Sequence, residues 1–332
     1  MRYCPPLRGG RYRNSLKETM KMVQTVAKAA LGVNEDLIIR KRRIQRGGTT
    51  RLSIVTGTHG DELEGQYLAY LIGSFLDKNL DRLNGIVDIY PALNPMGIDS
   101  ISRGIPMFDL DMNRVFPGSP DGTMAEVLCA SIVDDLLGSD VCIDVHSSNI
   151  FLREIPQIRI SEPNAPTLVP YAKLMNVDLI WVHESATVLE STLAHTLNSR
   201  GVKTLVVEMG VGMRITKEYC EQLLAGVLNL MKKLGIWIGD VPDVREPIVS
   251  LGRDVGFVNS DAAGIFVPRA HFGDTVRKGD CIGEVLDPLN GEVAETVEAI
   301  CDGMIFTLRE YPIVYGGSLL ARILMPEKEG DA

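Results

Sequence analysis

Between Arg51 and Gly235 two textures of apolar positions alternate. The first is a set of short continuous apolar runs: 51–57 (RLSIVTG), 86–92 (IVDIYPA), 140–146 (DVCIDVH), 178–183 (DLIWVH) and 203–209 (KTLVVEM). Runs of this kind predict strands buried on both faces. The second has helical spacing, as in Leu63, Tyr67, Leu71 and Phe75. It predicts helices over 61–77, 123–137, 166–176, 188–199 and 216–234, the last stopped by Gly235. Strand and helix in alternation imply an α/β fold, a mostly parallel sheet with helices on both faces. Upstream, 14–31 predicts a helix and 35–46 a basic strand.

After Asp240 the pattern changes. VPDVREP (241–247) reads as a linker. Residues 247–325 then carry short β-branched runs broken by Gly, Pro, Asn and Asp, which predicts a small all-β domain. The expected division is a basic segment and strand over 1–46, an α/β domain over 47–240 and a β domain over 247–326. A long Pro-, Gly-, Asn- and Asp-rich stretch from Leu93 to Pro120 interrupts the α/β pattern. Loops of that length inside a domain are usually functional.

Composition narrows the classes. Of 332 residues, 45% are hydrophobic and 23% charged, ordinary globular values that exclude a disordered or fibrous chain. No apolar run approaches the roughly 20 residues of a membrane span. Arg2, Arg8, Arg11 and Arg13 precede no apolar stretch, so a secretory signal is not expected. The net charge of −9 argues against a nucleic-acid binder. Residues 1–46 nevertheless hold 12 Lys/Arg against Glu18, Glu35 and Asp36, a local +9 that leaves −18 for the rest. That tail reads as a solvated segment. Six cysteines, at 4, 129, 142, 220, 281 and 301, form no CxxC pair and are expected as reduced thiols of a cytoplasmic protein.

Candidate chemistry gathers at strand ends, where open α/β sheets bind ligands. His59-Gly60-Asp61-Glu62 follows the first buried strand. A His and a Glu three residues apart across a tight turn can aim a nitrogen and a carboxylate at one zinc ion. That spacing alone is common, and a solvated turn is the bland alternative. Asp144-Val145-His146 ends another buried strand and offers His146 as a third ligand, with Asp144 orienting a ligand histidine. Asp144 on an apolar strand demands a partner in any case. Three ligands leave zinc open to water, and Glu208 at the end of TLVVEMG is the best candidate for the base that deprotonates it. In the long loop stand Asn94-Pro95-Met96-Gly97, Arg103 and Asp109-Leu110-Asp111-Met112-Asn113-Arg114. Its arginines can stabilise an oxyanion or hold a substrate carboxylate.

These motifs in this order resemble the succinylglutamate desuccinylase/aspartoacylase branch of the zinc carboxypeptidase superfamily, over roughly 50–325, with GTHGDELEG the most diagnostic segment. The resemblance implies one zinc ion per chain held by His59, Glu62 and His146. It implies that Glu208 activates water and passes a proton to the leaving amine, that Arg103 polarises the acyl carbonyl, and that Asn113 and Arg114 bind the carboxylate of the amino-acid part. Asp144 becomes a supporting partner of the ligands. Further substrate contacts are expected in 151–160 (FLREIPQIRI), where Arg153 is carried as the candidate and Arg159 stays open beside it. GDTVRKGDCIGEV (273–285) and EAICDGMIF (298–306) resemble the barrel-sandwich repeat of biotinyl and lipoyl domains. The tip LDPLNGEV (286–293) has no lysine, so covalent modification is not expected. Such a domain would shape the pocket or a contact between copies of the chain.

Of the remaining residues, His183 ends a strand near the site, His195 reads as packing or surface, His271 as solvated, and Tyr311 and Tyr315 as part of a β core. The expected activity is zinc-dependent hydrolysis of the amide of a small N-acyl amino acid, with no nucleic-acid or membrane partner. A carboxypeptidase acting on short peptides is the rival enzyme. A non-catalytic metabolite-binding protein is disfavoured, because no ligand or base is missing.

Overall fold

A computed structural model describes residues 19–183, 190–251 and 254–326. Strands and helices alternate from β3 to α6: β3 (Arg51–Thr56), α1 (Glu64–Lys78), β4 (Gly85–Tyr90), α2 (Pro95–Ser100), α3 (Met124–Leu136), β5 (Val141–Ser147), β6 (Leu152–Ser161), α4 (Ala165–Ala172), β7 (Leu179–His183), α5 (Leu193–Ser199), β8 (Lys203–Gly210) and α6 (Lys217–Lys233). Two strands precede them, β1 (Thr19–Ala30) and β2 (Asp36–Arg46). Strands β4, β3, β5 and β8 form the parallel heart of the sheet in that order. Antiparallel β2 and β1 extend it past β4, and antiparallel β6 extends it past β8.

The apolar runs are buried as their pattern requires. Leu68, Ile72 and Leu76 of α1 and Leu223, Val227 and Leu230 of α6 pack against Ile54, Ile143, Leu205 and Val207. On the other face Leu128, Ile132 and Leu136 of α3 and Leu193 and Leu197 of α5 pack against Val55 and Cys142. Each such side chain contributes about 1.5–3 kcal/mol on burial, and this fixes which side of each strand faces which helix layer.

Residues 14–31 were expected as a helix, and β1 corrects this over 19–30. Here β1 pairs antiparallel with β2 along its whole length and buries Ala27 and Ala29 against the α3 side. Tertiary pairing overrides a modest helical propensity. The sequence pattern also missed β6. Pro156 and the charges of LREIPQIRIS obscure it, yet it bridges β8 to everything that follows. Residues 184–189, which include the start of the expected helix 188–199, lie outside the described residues.

The last third adds β9 (Ile248–Ser250), β10 (Val255–Asn259), β11 (Gly264–Pro268), β12 (Thr275–Val276), β13 (Cys281–Asp287), β14 (Glu292–Glu298), β15 (Gly303–Arg309), β16 (Ile313–Val314) and β17 (Leu319–Leu324). A four-stranded sheet, β14-β13-β11-β16, shares a core with β15 and β17 of the main sheet, built from Phe266, Ile282, Val285, Ile305 and Ile323. The segment is not hung on a free linker. β15 pairs with β6 and β9 pairs with β7, so the main sheet runs on through β15, β17 and β10. Tyr311 and Tyr315, expected in a β core, are exposed instead.

Candidate metal centre

The turn after β3 is held by close backbone packing. Gly57 has φ +65°, a conformation that only glycine adopts without strain. A Cβ on Gly60 would stand 2.0 Å from the carbonyl carbon of Gly97, so the His59 turn and the α2 turn touch through their backbones. Asn94 caps α2 through Gly97 N–H at 2.9 Å and donates its amide to Gly104 O at 3.0 Å. That pair of bonds folds the long loop on itself, and backbone bonds from Asn94 N–H to Gly57 O at 2.8 Å and from Gly60 N–H to Arg103 O at 3.2 Å tie it to the turn after β3.

Three donors converge there. The Nδ1 of His59 lies 2.7 Å from Glu62 Oε1, and the Nδ1 of His146 lies 3.0 Å from Glu62 Oε2. The two Nδ1 atoms are 3.3 Å apart. All three residues are buried, and one donor atom from each lies within 4.8 Å of the others. The outer nitrogen of each ring is also held: His59 Nε2 by Asp111 Oδ1 at 3.1 Å and His146 Nε2 by Asp144 Oδ2 at 3.2 Å. Both imidazoles are thus turned by a carboxylate so that Nδ1 faces inward, the arrangement by which proteins orient metal-binding histidines. Asp111 was not singled out from sequence. The clue was available, since each inward-facing imidazole needs a partner for its second nitrogen and DLDMNR supplies a carboxylate beside Asn113.

The electrostatics agree with the geometry. Burial works to lower the pKa of His59, but Glu62 and Asp111 outweigh it and leave it raised. Burial likewise opposes Asp144 and Glu62 at His146, which ends well above the ordinary imidazole range. Glu62 moves the other way: burial would raise it, and the two histidines hold it well below the usual carboxylate range. The carboxylate between the two rings thus favours positive charge at the point where the three donors meet. Two nitrogens and a carboxylate form a donor set that suits zinc, and the site fits such an ion.

Around this centre the long loop places Arg103, whose Nη1 donates to Glu62 Oε1 at 3.0 Å. Asn113 lies 3.5 Å from His146 Nε2 and accepts from Leu193 N–H at 3.1 Å. Arg114 donates to the backbone carbonyl of Asn113 at 2.8 Å. A cavity of about 260 Å³ opens beside the centre and runs beneath α5. His59, Arg103, Asn113, Arg114, Asp144, His146 and Glu208 all line it. Burial raises the pKa of Glu208 against the opposing pull of Arg159 and His146.

One expected contact is not among the lining residues. Arg153 pairs with Glu310 and reaches Tyr219 of α6, on the far face of the sheet. The arginine that β6 sends into the cavity is Arg159, whose Nη1 lies 3.4 Å from Glu208 Oε1. The cause is a bulge: Glu154 pairs with Gly210 but Gln157 with Glu208, so one extra residue separates positions 153 and 159. Simple alternation would put them on one face, and the bulge puts them on opposite faces. His183 and His195 also line the cavity, the latter contrary to a purely packing or surface role. His271 is exposed. Among the described residues no helix is long and apolar enough to cross a membrane, and the five described cysteines are free thiols.

Residues 48–234 match the model of the succinylglutamate desuccinylase/aspartoacylase catalytic domain. The chain is 27% identical over 297 residues to the N-alpha-acetyl-L-2,4-diaminobutyric acid deacetylase of Halomonas elongata, an alignment covering 84% of this chain and 83% of that one. The product-bound structure of the ectoine utilization protein EutE (DoeB) from Ruegeria pomeroyi shares the fold with a TM-score of 0.79 at 20% identity, over 93% of this chain and 99% of that one. A succinylglutamate desuccinylase from Silicibacter sp. TM1040 shares it with a TM-score of 0.80 at 20% identity, over 94% and 99%.

Proposed function

The chain belongs to the succinylglutamate desuccinylase/aspartoacylase family, and from that premise we propose that it is a zinc-dependent deacylase that hydrolyses the amide bond of a small N-acyl amino acid. The observation that carries this reading is the convergence of His59, Glu62 and His146 on one point, with Glu208 lining the same cavity. His59, Glu62 and His146 would hold the zinc ion, which when bound would supply a Lewis acid and lower the pKa of water. Glu208 takes the proton of the attacking water and gives it to the departing amine, and its raised pKa suits a group that must both accept and donate. Arg103 reaches the cavity beside Glu62 and stabilises the charge that grows on the acyl oxygen. Asn113 and Arg114 hold the carboxylate of the amino-acid part at the cavity wall.

N-α-acetyl-2,4-diaminobutyrate is the first substrate to try, because the deacetylase of Halomonas elongata is named for it. A cavity of about 260 Å³ favours a small N-acyl amino acid over a peptide. The test is release of primary amine from N-acetyl, N-succinyl and N-formyl amino acids and diamines, with blocked dipeptides alongside. Turnover of one N-acyl amino acid, abolished by chelator and restored by zinc, is the expected result. Turnover of dipeptides alone would move the reading to a carboxypeptidase.

A further inference from the structure

We propose that Arg322, on the last strand of the C-terminal segment, is a positioning residue for Glu208. This rests on the reading of Glu208 as the base. A row of side chains links the two residues across neighbouring strands. Arg322 of β17 pairs with Glu154 Oε1 through Nη1 and reaches Thr307 Oγ1 of β15 at 3.5 Å. Glu154 of β6 accepts from Arg159 Nη2 at 2.6 Å and from Gln157 Nε2 at 3.1 Å. Arg159 then places Nη1 3.4 Å from Glu208 Oε1.

The strand register makes the row continuous. Glu208 is paired with Gln157, Glu154 with Thr307, and Thr307 with Arg322. Both guanidinium groups also lie over the ring of Trp181, each 5.6 Å from its centroid. Glu154 is buried, and its ion-pair partners among the described residues are these two arginines. Removing Arg322 leaves Glu154 underneutralised. A buried carboxylate in that state draws Arg159 towards itself and away from Glu208. The C-terminal segment thereby acts on the base through charge, without entering the cavity.

The experiment combines kinetics with a readout that needs no substrate. The chain has two tryptophans, Trp181 and Trp237. Labelling with 5-fluorotryptophan gives one fluorine resonance at the charge row and one control, assigned with Trp181→Phe. Glu208→Gln should move the Trp181 resonance in the wild-type background, because Arg159 resettles on Trp181. The same substitution should leave that resonance unmoved when Arg322→Met is also present.

On the N-acyl amino acid that the panel turns over, Arg322→Met should lower kcat about tenfold or more with KM held within about twofold and metal content unchanged. Arg322→Lys should recover most of the rate, since the contact with Glu154 uses one nitrogen. In an Arg159→Met background Arg322→Met should have no further effect on kcat. Arg322→Gln, which keeps a hydrogen-bond donor beside Glu154 but removes the charge, should reproduce the pattern of Arg322→Met and serves if that variant does not fold. Wild-type kcat in Arg322→Met and Arg322→Gln, additive losses with Arg159→Met, or a Trp181 resonance that responds to Glu208→Gln regardless of Arg322 would each overturn the proposal. Silence of the whole panel would remove the hydrolase reading, and the fluorine coupling would still decide the role of Arg322.

Discussion

Two buried clusters of charge stand near opposite ends of β3. At its amino end Asp88, fully buried, takes two hydrogen bonds from Arg43, at 2.7 and 2.6 Å, and one from Arg51 at 2.9 Å. Lys41 lies 3.2 Å from Asp88 and bonds both oxygens of Asp135, and Tyr90 donates to the same Asp135. Signs alternate there, no buried polar atom of these residues lacks a partner, and none of them lines the cavity. At the carboxyl end two imidazole nitrogens face each other at 3.3 Å across a carboxylate. Nearby, Thr58 Oγ1, Asp61 Oδ1, Asp144 Oδ1, Ser147 Oγ and Arg159 Nε are buried without a partner. A cluster whose charges already cancel holds strands together. One whose electron-pair donors converge, and whose hydrogen bonds are incomplete, is arranged for something that arrives later.

The contrast can be broken by substitution. His59→Ala should abolish stoichiometric zinc binding and take turnover to background while leaving the chain folded, as seen by metal analysis and circular dichroism. Retained zinc at wild-type affinity would remove His59 from the ligand set. Glu208→Gln should keep the metal and lower kcat by about 10²–10⁴, the usual weight of a general base. Wild-type-like turnover would remove Glu208 from the mechanism. Asp88→Asn should do the reverse. It takes the carboxylate from Arg43 and Arg51 and should cost about 3–5 kcal/mol in a urea titration, with kcat per folded molecule unchanged.

Acid should separate the two ends by pH. His59 and His146 must lose protons to bind zinc, and both are raised above 6.5, so affinity should start to fall while pH is still above that value. Asp88 is held below 3.8 by Arg43, Arg51 and Lys41 against the opposing effect of burial. The stability it contributes is fully present above the unfolded value of 3.8 and is lost as pH falls through the lower folded value. Zinc should therefore leave well before this end of the sheet weakens. Zinc and circular dichroism titrations that fall together would show the ends to be coupled. The smallest effect belongs to Arg153→Ala, which should leave KM within about twofold because the side chain lies on the far face. A large rise in KM would return Arg153 to the substrate.

Much of the molecule was legible in local pattern. The strands β3, β4, β5, β7 and β8, the helices α1, α3, α4, α5 and α6 and the β-rich final third follow from spacings of a few residues, and burial of apolar side chains enforces them, whereas α2 lay hidden in the irregular stretch 93–120. The candidate donors were legible too, because His, Glu and Asp at the ends of apolar strands converge on one sheet edge in a parallel fold. Tertiary structure decided what depends on distant partners. Segment 19–30 became a strand because β2 was there to pair with it. Asp111 found His59 only once the Asn94 turn had folded the long loop back. One bulge in β6 turned Arg159, rather than Arg153, towards Glu208. A side chain's type and its place along the chain are local properties. The face it takes depends on register with a neighbouring strand, and a single extra residue reverses it.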